Sequence, residues 1–289
     1  MGWWSWITGG GGRTPEELAT RIGIPLADLE AVPVEYTTFQ LPKRGGGTRT
    51  ITAPAPALKA LQRQIYRRLL KRLPVHAAVT GFRPGYSIAS NAACHAGQAV
   101  VVRMDIRDFF GSTTAKRVER YFRRLGWNRA ASALLVRLCT HEGVLPQGAP
   151  TSPALANAVN FEMDARLAGL AKKHEAIYTR YADDLTFSFA VDGHDAIQAV
   201  IFRTKEIVGD SGAYKLHQKK KLRIRRRHQK QMVTGLVVNE HIALPRATRR
   251  WLRAVDHRSG TGGRPTLTPR QRQGWAALEH MVAAHRQNA

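Results

Sequence analysis

The sequence predicts an α+β protein with a helical tail. Short apolar runs bounded by turn residues indicate strands, stretches with 3.6-residue apolar spacing indicate helices, and the order along the chain is strand, helix, hairpin, strand. The chain has 289 residues, 43% of them hydrophobic, so a core can form in one large domain or two small ones. No internal repeat is visible, and no apolar run approaches the roughly 18 residues of a membrane helix.

The first elements are a helical region and a hairpin. Thr14 is a favourable N-cap, Pro15 suits the first helical turn, and Glu17 occupies the capping-box position, so we expect a helical N-terminal region over residues 1–34. Strand-like stretches follow within residues 39–51, on either side of a Lys-Arg-Gly-Gly-Gly segment that is typical of a hairpin turn.

Two helices and a strand come next. Leucine and isoleucine at helical spacing predict an amphipathic helix over residues 56–73. Residues 99–106 form a short apolar run that ends in Asp105, as expected for a buried strand with an acid at its tip. Thr151, followed by serine and proline, predicts the start of a second long helix with one apolar face that continues to Leu170.

The last part of the chain contains a second hairpin. Residues 178–189 alternate in hydropathy on either side of Ala-Asp-Asp, which predicts two strands with Asp183 and Asp184 in a tight turn. A further strand is expected at 232–238. A Gly-rich linker and a last helix are expected at 256–267 and 268–285.

Charge and cysteine content limit the class of protein. The formal net charge is +24, which favours a polyanionic partner, most simply nucleic acid. Cys94 and Cys139 are too few for a disulfide framework or a cysteine zinc site, and the first residues lack the pattern of a secretory signal. These features predict a cytoplasmic protein without a membrane segment.

Half of the excess charge lies between Arg203 and Arg253, where 15 Lys and Arg face 3 acids. The densest run extends from Lys219 to Lys230, and it is either a nucleic-acid surface or a solvated basic loop. Four arginines recur at i, i+3, i+4, i+7, which places them on one helix face suited to a phosphate backbone. They are Arg246, Arg249, Arg250 and Arg253.

Three acids in apolar strands of a basic protein require an explanation. Burying an unpaired carboxylate costs several kcal/mol, so a cation or hydrogen bonds must compensate Asp105, Asp183 and Asp184. If their strands are neighbours, the acids converge and can hold two Mg²⁺ ions about 4 Å apart for phosphoryl transfer. The alternative is a simple turn at Asp183 and Asp184, with Asp105 paired to an arginine.

Three motifs resemble those of reverse transcriptases. Arg180-Tyr181-Ala182-Asp183-Asp184 matches the Y-x-D-D signature, Asp105 to Phe110 resembles the first metal-binding strand, and Leu145 to Pro153 resembles the nucleotide-pocket segment. Their order and gaps are similar to those of the family over residues 41–253. The resemblance implies a right-hand polymerase fold with fingers and an antiparallel palm sheet in 35–245 and a small helical thumb in 246–289.

Two shorter motifs resemble retron reverse transcriptases in particular. Asn91 and His95 fit the N-A-x-x-H signature, and Val233, Thr234 and Gly235 fit the V-T-G signature. The resemblance implies that these residues contact RNA. From the residues alone, His95 is equally well a buried histidine that holds a loop.

The resemblance also implies roles at the catalytic centre. Asp105 and Asp183 would bridge two Mg²⁺ ions, assisted by Asp184 and by the Ile106 carbonyl. Deoxynucleoside triphosphates would be the substrates, bound through one further set of residues. These are Arg49 for the triphosphate, Phe110 as steric gate against a 2′-OH, Gln147 and Gly148 lining the nucleotide, and Lys220, which is the best match to the palm lysine among Lys219, Lys220 and Lys221.

Retron enzymes use a structured non-coding RNA as scaffold, template and primer, and a 2′-OH of that RNA starts a branched RNA–DNA product. The resemblance therefore implies this RNA and its DNA product as partners, with the basic run and arginine stripe as RNA contacts and Trp251 as either a stacking surface or a core residue. It also implies a separate effector protein in anti-phage defence. The alternatives are a group II intron-like or abortive-infection reverse transcriptase, a two-metal nuclease, or a degenerate polymerase fold that only binds RNA.

Overall fold

The computed structural model describes residues 12–42, 46–212, 214–217, 222–261 and 266–287, and these divide into two compact units. The first unit takes the described parts of Met1–His76, Ile106–Ala165 and Glu206–Lys215. The second takes those of Ala77–Asp105, Arg166–Lys205 and Leu216–Ala289. The predicted turn residues 43–45 and the lysines at 219–221 lie outside the described residues.

The first unit is mainly helical. Its elements are α1 (Pro15–Ile22), α2 (Leu26–Ala31), β1 (Tyr36–Pro42), β2 (Thr48–Pro54), α3 (Pro56–Arg68) with a 3₁₀ turn at Leu70–Arg72, α5 (Ala115–Arg124), α6 (Arg129–Cys139) and α7 (Ser152–Val159). Helices α1, α3 and α6 pack against one another around leucine and isoleucine side chains that are fully buried. The predicted helix start is confirmed, because the Thr14 side chain accepts a hydrogen bond from the Glu17 amide.

The hairpin predicted within residues 39–51 is also confirmed. Strands β1 and β2 are antiparallel, with Tyr36 opposite Pro54 and Leu41 opposite Arg49. Most of β1 is exposed, whereas β2 becomes buried towards Pro54.

The second unit is built on an antiparallel sheet. Its elements are α4 (Ile88–Ala93), β3 (Val100–Asp105), β4 (Ala176–Tyr181), β5 (Asp184–Phe189), β6 (Arg223–Arg226), β7 (Met232–Val233), β8 (Leu236–Val237), α10 (Arg246–Gly260) and α11 (Pro269–Gln287), while α8 (Phe161–Lys173) and α9 (His194–Asp210) contribute to both units. The four-stranded sheet has the order β4-β5-β3-β6. The α+β prediction is confirmed.

The two faces of this sheet differ in character. Val100, Val102 and Met104 of β3 lie on one face and are buried, opposite Phe189, Phe187 and Leu185 of β5. Because side chains alternate along a strand, the remaining residues of both strands lie on the other face. Most of these residues are polar. A second core joins α4, the β7–β8 hairpin, α10 and α11, and is formed by Ala89, Ala92, Val101, Val233, Leu236, Val238, Ile242, Leu244, Leu252 and Val282.

Three predicted elements need correction. The long helix from Thr151 is two helices, α7 and α8, separated at Asn160. The Asn160 side chain donates to the Ala156 carbonyl oxygen at 2.7 Å and to the Tyr214 hydroxyl at 2.8 Å, and such local side-chain bonds compete with a continuous helix. The same side chain accepts a bond from Arg117 at 2.9 Å, which fixes the break.

The other two corrections concern the C-terminal part. The strand predicted at 232–238 is a hairpin with a turn at Thr234 and Gly235, whose φ angles are 46° and 87°. Positive φ at both central residues is the requirement of a type I′ turn. The linker predicted from Asp256 begins later, because α10 continues to Gly260. Arg272 of α11 forms a bidentate ion pair with Asp256, which ties the two helices together.

Candidate active site

Two carboxylates meet at one end of the central sheet. Asp105, the last residue of β3, lies directly opposite Asp184, the first residue of β5. Directly opposed residues in an antiparallel pair have Cα atoms about 4.5–5.5 Å apart and share one face. The two side chains keep 17% and 21% of their surface exposed, so the carboxylates can be reached from solvent.

The third acid lies in the turn between β4 and β5. Ala182 and Asp183 form a two-residue loop, since Tyr181 pairs with Asp184. Ala182 has a φ of 57°, in the left-handed region that glycine normally occupies, and such outliers persist only where the surroundings enforce them. The prediction that both aspartates lie in the turn is therefore half correct, because Asp184 already belongs to the strand.

The strained turn at Ala182 and Asp183 is fixed by contacts with neighbouring residues. The Arg180 side chain is fully buried and its guanidinium donates to the Ala182 carbonyl oxygen at 3.0 Å. Gly81 lies against the turn so closely that a Cβ there would be 2.6 Å from the Ala182 backbone nitrogen. Thr80 and Gly81 also donate backbone hydrogen bonds to the Arg180 carbonyl. This packing fixes the backbone that carries Asp183.

The opposed carboxylates have cationic or polar neighbours in the same unit. Arg103, two residues before Asp105 on β3, forms an ion pair with the Asp184 carboxylate. The His217 amide donates to the Asp105 carbonyl oxygen at 2.9 Å, and its ring Nε2 lies 3.4 Å from Asp105 Oδ1. These contacts orient Asp184 towards Arg103 and Asp105 towards His217.

The donor set suits a hard divalent cation. Carboxylate oxygens are the preferred protein ligands of Mg²⁺, and Asp105, Asp183 and Asp184 supply them at one end of one strand pair. Within the part of the chain that the structure describes, no three His, Cys, Asp or Glu side chains stand close enough to hold an ion as placed. The two-ion site stays a prediction.

The residues predicted to bind the nucleotide lie in the first unit. The Gln147 carbonyl oxygen accepts a hydrogen bond from the Thr52 amide at 2.8 Å, which fixes this segment alongside β2. Gly148 has a φ of 140°, and a Cβ there would lie 2.9 Å from the Thr52 carbonyl oxygen. Arg49 is exposed on the same strand, three residues or about 10 Å from Thr52. The fold thus brings the Gln147–Gly148 segment and the Arg49 strand together.

Phe110 and Ile106 belong to the same unit. Phe110 is half-buried beside Phe109, with ring centroids 5.6 Å apart, and Phe109 stacks on Tyr214. The Ile106 side chain is fully buried. Lys220 lies outside the described residues, so its predicted role stays a prediction.

The N-A-x-x-H residues lie inside the second unit. Asn91 and His95 are 1% and 0% exposed. Asn91 Oδ1 accepts a hydrogen bond from the Thr80 hydroxyl at 2.7 Å, and the His95 ring nitrogens lie 2.7 and 2.8 Å from the hydroxyls of Ser188 and Thr179. The prediction that these two side chains contact RNA is not supported by this placement. His95 connects the end of α4 to the β4–β5 hairpin, and Asn91 connects α4 to Thr80.

Burial also sets the charge of His95. Removal from water lowers the pKa of the His95 ring from 6.5 to about 3, so the ring is neutral at physiological pH. A neutral imidazole has one donor and one acceptor nitrogen, and two hydroxyl groups can satisfy both. His95 therefore acts as a neutral cross-link between Ser188 on β5 and Thr179 on β4.

The V-T-G residues form the β7–β8 turn. Val233 is buried in the second core, and the Thr234 hydroxyl donates to the Ile88 carbonyl oxygen of α4 at 2.7 Å. A φ of 46° is unusual for a β-branched residue, so this bond holds a strained conformation. Gly235 is exposed, and a Cβ there would meet no atom within 4 Å. Of these three residues, only Gly235 is exposed and can be reached by a ligand.

The predicted arginine stripe is exposed along α10. Arg246, Arg249, Arg250 and Arg253 all face solvent, and within the described ranges none of them forms an ion pair. The opposite side of α10 buries Leu252 and Val255. Trp251 is 38% exposed and packs edge-to-face on Trp275 of α11, with centroids 5.5 Å apart. One part of the Trp251 ring is therefore packed in the protein and another part is accessible, so the side chain is neither a pure core residue nor a freely exposed stacking surface.

Comparison with known proteins identifies the family to which this fold belongs. Residues 41–234 match the family model described as reverse transcriptase (RNA-dependent DNA polymerase), which is more than half of the chain. The chain belongs to the reverse transcriptase family. The predicted resemblance to reverse transcriptases is confirmed, with the family match covering residues 41–234 of the expected 41–253, and the expected polymerase fold class is confirmed as well.

Curated relatives of this reverse transcriptase are retron enzymes. The Retron Mx162 reverse transcriptase of Myxococcus xanthus is 38% identical over 92% of this chain and 63% of its own, and Retron Mx65 of the same species is 40% identical over 85% and 62%. The Retron Ec86 reverse transcriptase of Escherichia coli is 36% identical over 83% of this chain and 75% of its own. The chain thus spans slightly less than two thirds of the two Myxococcus relatives. The retron resemblance is confirmed.

Several residues of this reverse transcriptase site were missed from sequence. Arg103 interrupts an apolar strand, and that interruption is the signal that could have singled it out. Arg180 precedes the tyrosine of the Y-x-D-D motif, but nothing in the pattern shows that it is buried. Gly81 lies 101 residues before Ala182, so only the fold reveals their contact.

The described helices of this reverse transcriptase are each too short or too polar to cross a membrane.

Proposed function

We propose that the protein is an RNA-directed DNA polymerase of the retron type. It copies part of a structured non-coding RNA into single-stranded DNA. The observation that carries the proposal is the opposition of Asp105 and Asp184 at an accessible sheet end, with Asp183 in the adjoining strained turn. The family match and the retron relatives support the same activity.

The proposed chemistry follows from the three aspartates. Asp105, Asp183 and Asp184 would hold two Mg²⁺ ions with the Ile106 carbonyl. When bound, the ions activate the attacking hydroxyl and stabilise the leaving pyrophosphate. Arg180 and Gly81 keep the turn in place, which matters because small misplacements of catalytic groups cost large factors in rate.

The first unit supplies the substrate selection. Arg49 binds the triphosphate, since a guanidinium offers two parallel donors and keeps its charge. Gln147 and Gly148 line the nucleotide, and the absence of a side chain at Gly148 permits close approach of the backbone. Phe110 excludes a 2′-OH by contact with the sugar, and Lys220 contributes a further positive charge.

Catalysis is tested by extension of a primer on an RNA template with deoxynucleotides and Mg²⁺. Asp183→Asn removes a charged ligand without changing size, so we expect a loss on the order of 100-fold or more. Asp195→Asn, at an exposed position of α9, is the matched control and should keep the wild-type rate. Undiminished synthesis by Asp183→Asn refutes the catalytic assignment.

The retron-specific part of the proposal is the branched product, in which an RNA 2′-OH starts the DNA. It is supported by the retron relatives and by the two retron-like motifs. Sequencing and debranching of the nucleic acid that co-purifies with the protein test it. DNA without a 2′-linked RNA end would instead indicate a mobile-element or abortive-infection type of reverse transcriptase.

RNA binding is proposed for the exposed stripe of α10. Replacing its four arginines by glutamine should weaken binding of the cognate RNA and flatten its salt dependence by about 0.7–0.9 for each phosphate that is no longer neutralised. Synthesis on a generic primer–template should fall less. A control of equal charge replaces the exposed residues Arg63, Arg67, Arg68 and Arg72 of the first unit. Equal losses in both variants would show that net charge, not the stripe, binds the RNA.

The biological setting belongs to the same proposal. Retron-type synthesis in the cytoplasm would serve anti-phage defence together with a separate effector protein. Phage plating on cells that carry the operon with wild-type or Asp183→Asn enzyme tests it, with co-purification of the effector as second readout. Equal plating efficiency for the two enzymes contradicts a role of DNA synthesis in defence.

A further inference from the structure

A buried tyrosine of the first unit packs against the segment that carries Phe110. Tyr214 is 2% exposed and lies shortly after the end of α9. Its ring stacks on the Phe109 ring, with centroids 5.7 Å apart and an angle of 24° between the planes. The Arg117 guanidinium also lies over the Tyr214 ring, 4.5 Å from the centroid, which is within cation–π distance. Tyr214 is therefore held by one aromatic and one cationic neighbour.

The Tyr214 hydroxyl belongs to a directed chain of hydrogen bonds. It accepts a bond from the Asn160 amide nitrogen at 2.8 Å and lies 2.6 Å from the Thr113 hydroxyl oxygen. The Thr113 hydroxyl donates its single hydrogen to the Phe109 carbonyl oxygen at 2.8 Å, so Tyr214 is the donor to Thr113. The chain thus runs from Asn160 through two hydroxyls to the Phe109 backbone.

The break between α7 and α8 supplies the first donor of this chain. Asn160 divides the two hydrogens of its amide nitrogen between the Ala156 carbonyl oxygen and the Tyr214 hydroxyl. Its side-chain oxygen accepts a bond from Arg117 at 2.9 Å, so both polar atoms of the Asn160 side chain have partners. Buried polar networks in which every member is paired rigidify a fold. The helix break therefore fixes Tyr214 as well as ending α7.

Tyr214 holds the turn around Phe110 through the aromatic stack. The Phe109 ring that it contacts lies 5.6 Å from the Phe110 ring, centroid to centroid. The next residue, Lys215, accepts a backbone hydrogen bond from the Arg107 amide at 2.8 Å. The turn is thus held by Tyr214 through side chains and by Lys215 through the backbone.

Thr113 connects the same turn to the segment predicted to line the nucleotide. Its amide donates to the Phe110 carbonyl oxygen at 3.0 Å, and its own carbonyl oxygen accepts a bond from the Leu145 amide at 3.0 Å. Leu145 lies two residues before Gln147. The bonds of Thr113 therefore fix the Phe110 turn relative to the Gln147 segment, and the Thr113 hydroxyl is itself bound by Tyr214.

We propose that Tyr214 is a positioning residue for sugar selection, which keeps the Phe110 ring where it excludes a 2′-OH. This inference rests on the proposed function, because that function makes Phe110 the residue that contacts the sugar. Exclusion by contact depends on small displacements, since a misplacement of about 1 Å is enough to change reaction rates greatly. Phe110 is only half-buried, so its neighbours must supply the rigidity that the contact requires.

The selectivity is measured by primer extension with a deoxynucleotide and with the ribonucleotide of the same base, as the ratio of the two kcat/KM values. Tyr214→Leu removes the aromatic stack, the cation–π contact and the hydroxyl together. We expect the preference for the deoxynucleotide to fall about 10-fold, which is the order of one aromatic pair. Tyr214→Phe keeps the ring and should retain most of the preference. Phe110→Ala should lose more of it than either variant.

The coupling between the two positions separates positioning from general packing. If Tyr214 acts through Phe110, Tyr214→Leu should lower the preference no further in a protein that already carries Phe110→Ala. The matched controls are Tyr121→Leu and Tyr121→Phe. Tyr121 lies on α5 of the same unit, and its buried hydroxyl has no hydrogen-bond partner among the described residues. Both controls should keep the wild-type preference, and thermal unfolding reports the stability lost by each variant.

Fluorine NMR follows the Phe110 ring without catalysis. In protein labelled with 4-fluorophenylalanine, the Phe110 resonance is identified by its absence from Phe110→Ala. Tyr214→Leu should shift or broaden this resonance, because the neighbouring Phe109 ring loses its support, whereas Tyr121→Leu should leave it in place.

Three results would overturn the inference. The first is a preference that Phe110→Ala loses and Tyr214→Leu keeps, and the second is an equal loss in Tyr121→Leu, which would reduce the effect to packing. The third is a Phe110 resonance that Tyr214→Leu leaves unchanged. A wild-type protein that makes no DNA refutes the proposed function instead, and the resonance then still decides whether Tyr214 orients Phe110.

Discussion

Acid pH should destabilise the second unit through one buried histidine. The His95 ring is 0% exposed and spans the hydroxyls of Ser188 and Thr179, and burial lowers its pKa from 6.5 to about 3. The unfolded chain therefore binds a proton between those pH values and the folded chain does not. Because the unfolded state binds more protons there, stability rises with pH across this window. The contribution of the neutral His95 ring to stability is fully present above about pH 6.5 and is lost as the pH falls towards 3.

The size of the effect follows from the shift. Each pH unit below 6.5 costs about 1.4 kcal/mol of the free energy of unfolding, so acidification from pH 7 to pH 5 should cost roughly 2 kcal/mol through His95 alone. His95→Gln keeps an amide donor and acceptor but does not titrate. We expect it to be less stable at pH 7 by about 1–3 kcal/mol, since one buried hydroxyl loses its partner. Its further loss on acidification should be smaller by roughly 2 kcal/mol.

Urea unfolding followed by circular dichroism at pH 7 and pH 5 measures both quantities. His194→Gln, at the exposed first residue of α9, controls for the removal of a histidine as such and should behave like the wild type. If His95→Gln loses as much stability between the two pH values as the wild type, another group carries the pH dependence. The cross-link between the β4 and β5 hydroxyls would then have no measurable charge preference.

Three glycine substitutions test packing elsewhere. Gly81→Ala would place a Cβ 2.6 Å from the Ala182 backbone nitrogen, so the turn would have to move by about 0.8 Å to reach ordinary contact at 3.4 Å. Primer extension should therefore slow about 10- to 100-fold. An unchanged rate would show that the turn is not rigid. Gly148→Ala would place a Cβ 2.9 Å from the Thr52 carbonyl oxygen at a φ of 140°, so chemical denaturation should show a loss of about 1–3 kcal/mol. Gly169→Ala, which has open space inside α8, should instead gain about 0.5–1 kcal/mol, and a loss there would contradict the helical packing.

Elements with strong local signals could be predicted from sequence. The β-branched run before Asp105 and the alternation on either side of Asp183 placed β3, β4 and β5 within about two residues. Thr14 identified the first helix because an N-cap acts through its own neighbours. In each case the physical cause lies within a few residues of the effect.

Elements that depend on distant contacts could not be predicted in this way. The break at Asn160 is fixed by Tyr214 and Arg117, which are 54 and 43 residues away. The turn at Thr234 is held by Ile88, which is 146 residues away. Propensity gives no access to such partners, since a strained conformation is stable only when the surrounding fold enforces it.

Two of the predicted RNA contacts are buried in the fold. Asparagine is mostly exposed in folded proteins and histidine is intermediate, so Asn91 and His95 suggest ligand contacts when seen in a sequence. Inside the fold they are held by hydroxyl partners, and a buried polar group costs little when it is hydrogen-bonded. A short polar motif can therefore be shared by related proteins because its residues form internal hydrogen bonds in the fold, and not because they bind a ligand.

This distinction separates two kinds of failure in the enzyme. Loss of His95 or of the Thr234 hydroxyl should disturb the packing of α4 against the strands, with effects on unfolding that depend little on salt. Loss of the exposed arginines on α10 should leave unfolding nearly unchanged and alter the salt dependence of RNA binding. Under the proposed function, exposed cations such as Arg249 and Arg253 would contact the cognate RNA, and their sequence signal is only their helical spacing. The motif that marks the retron branch should keep its effect on stability even when no RNA is present.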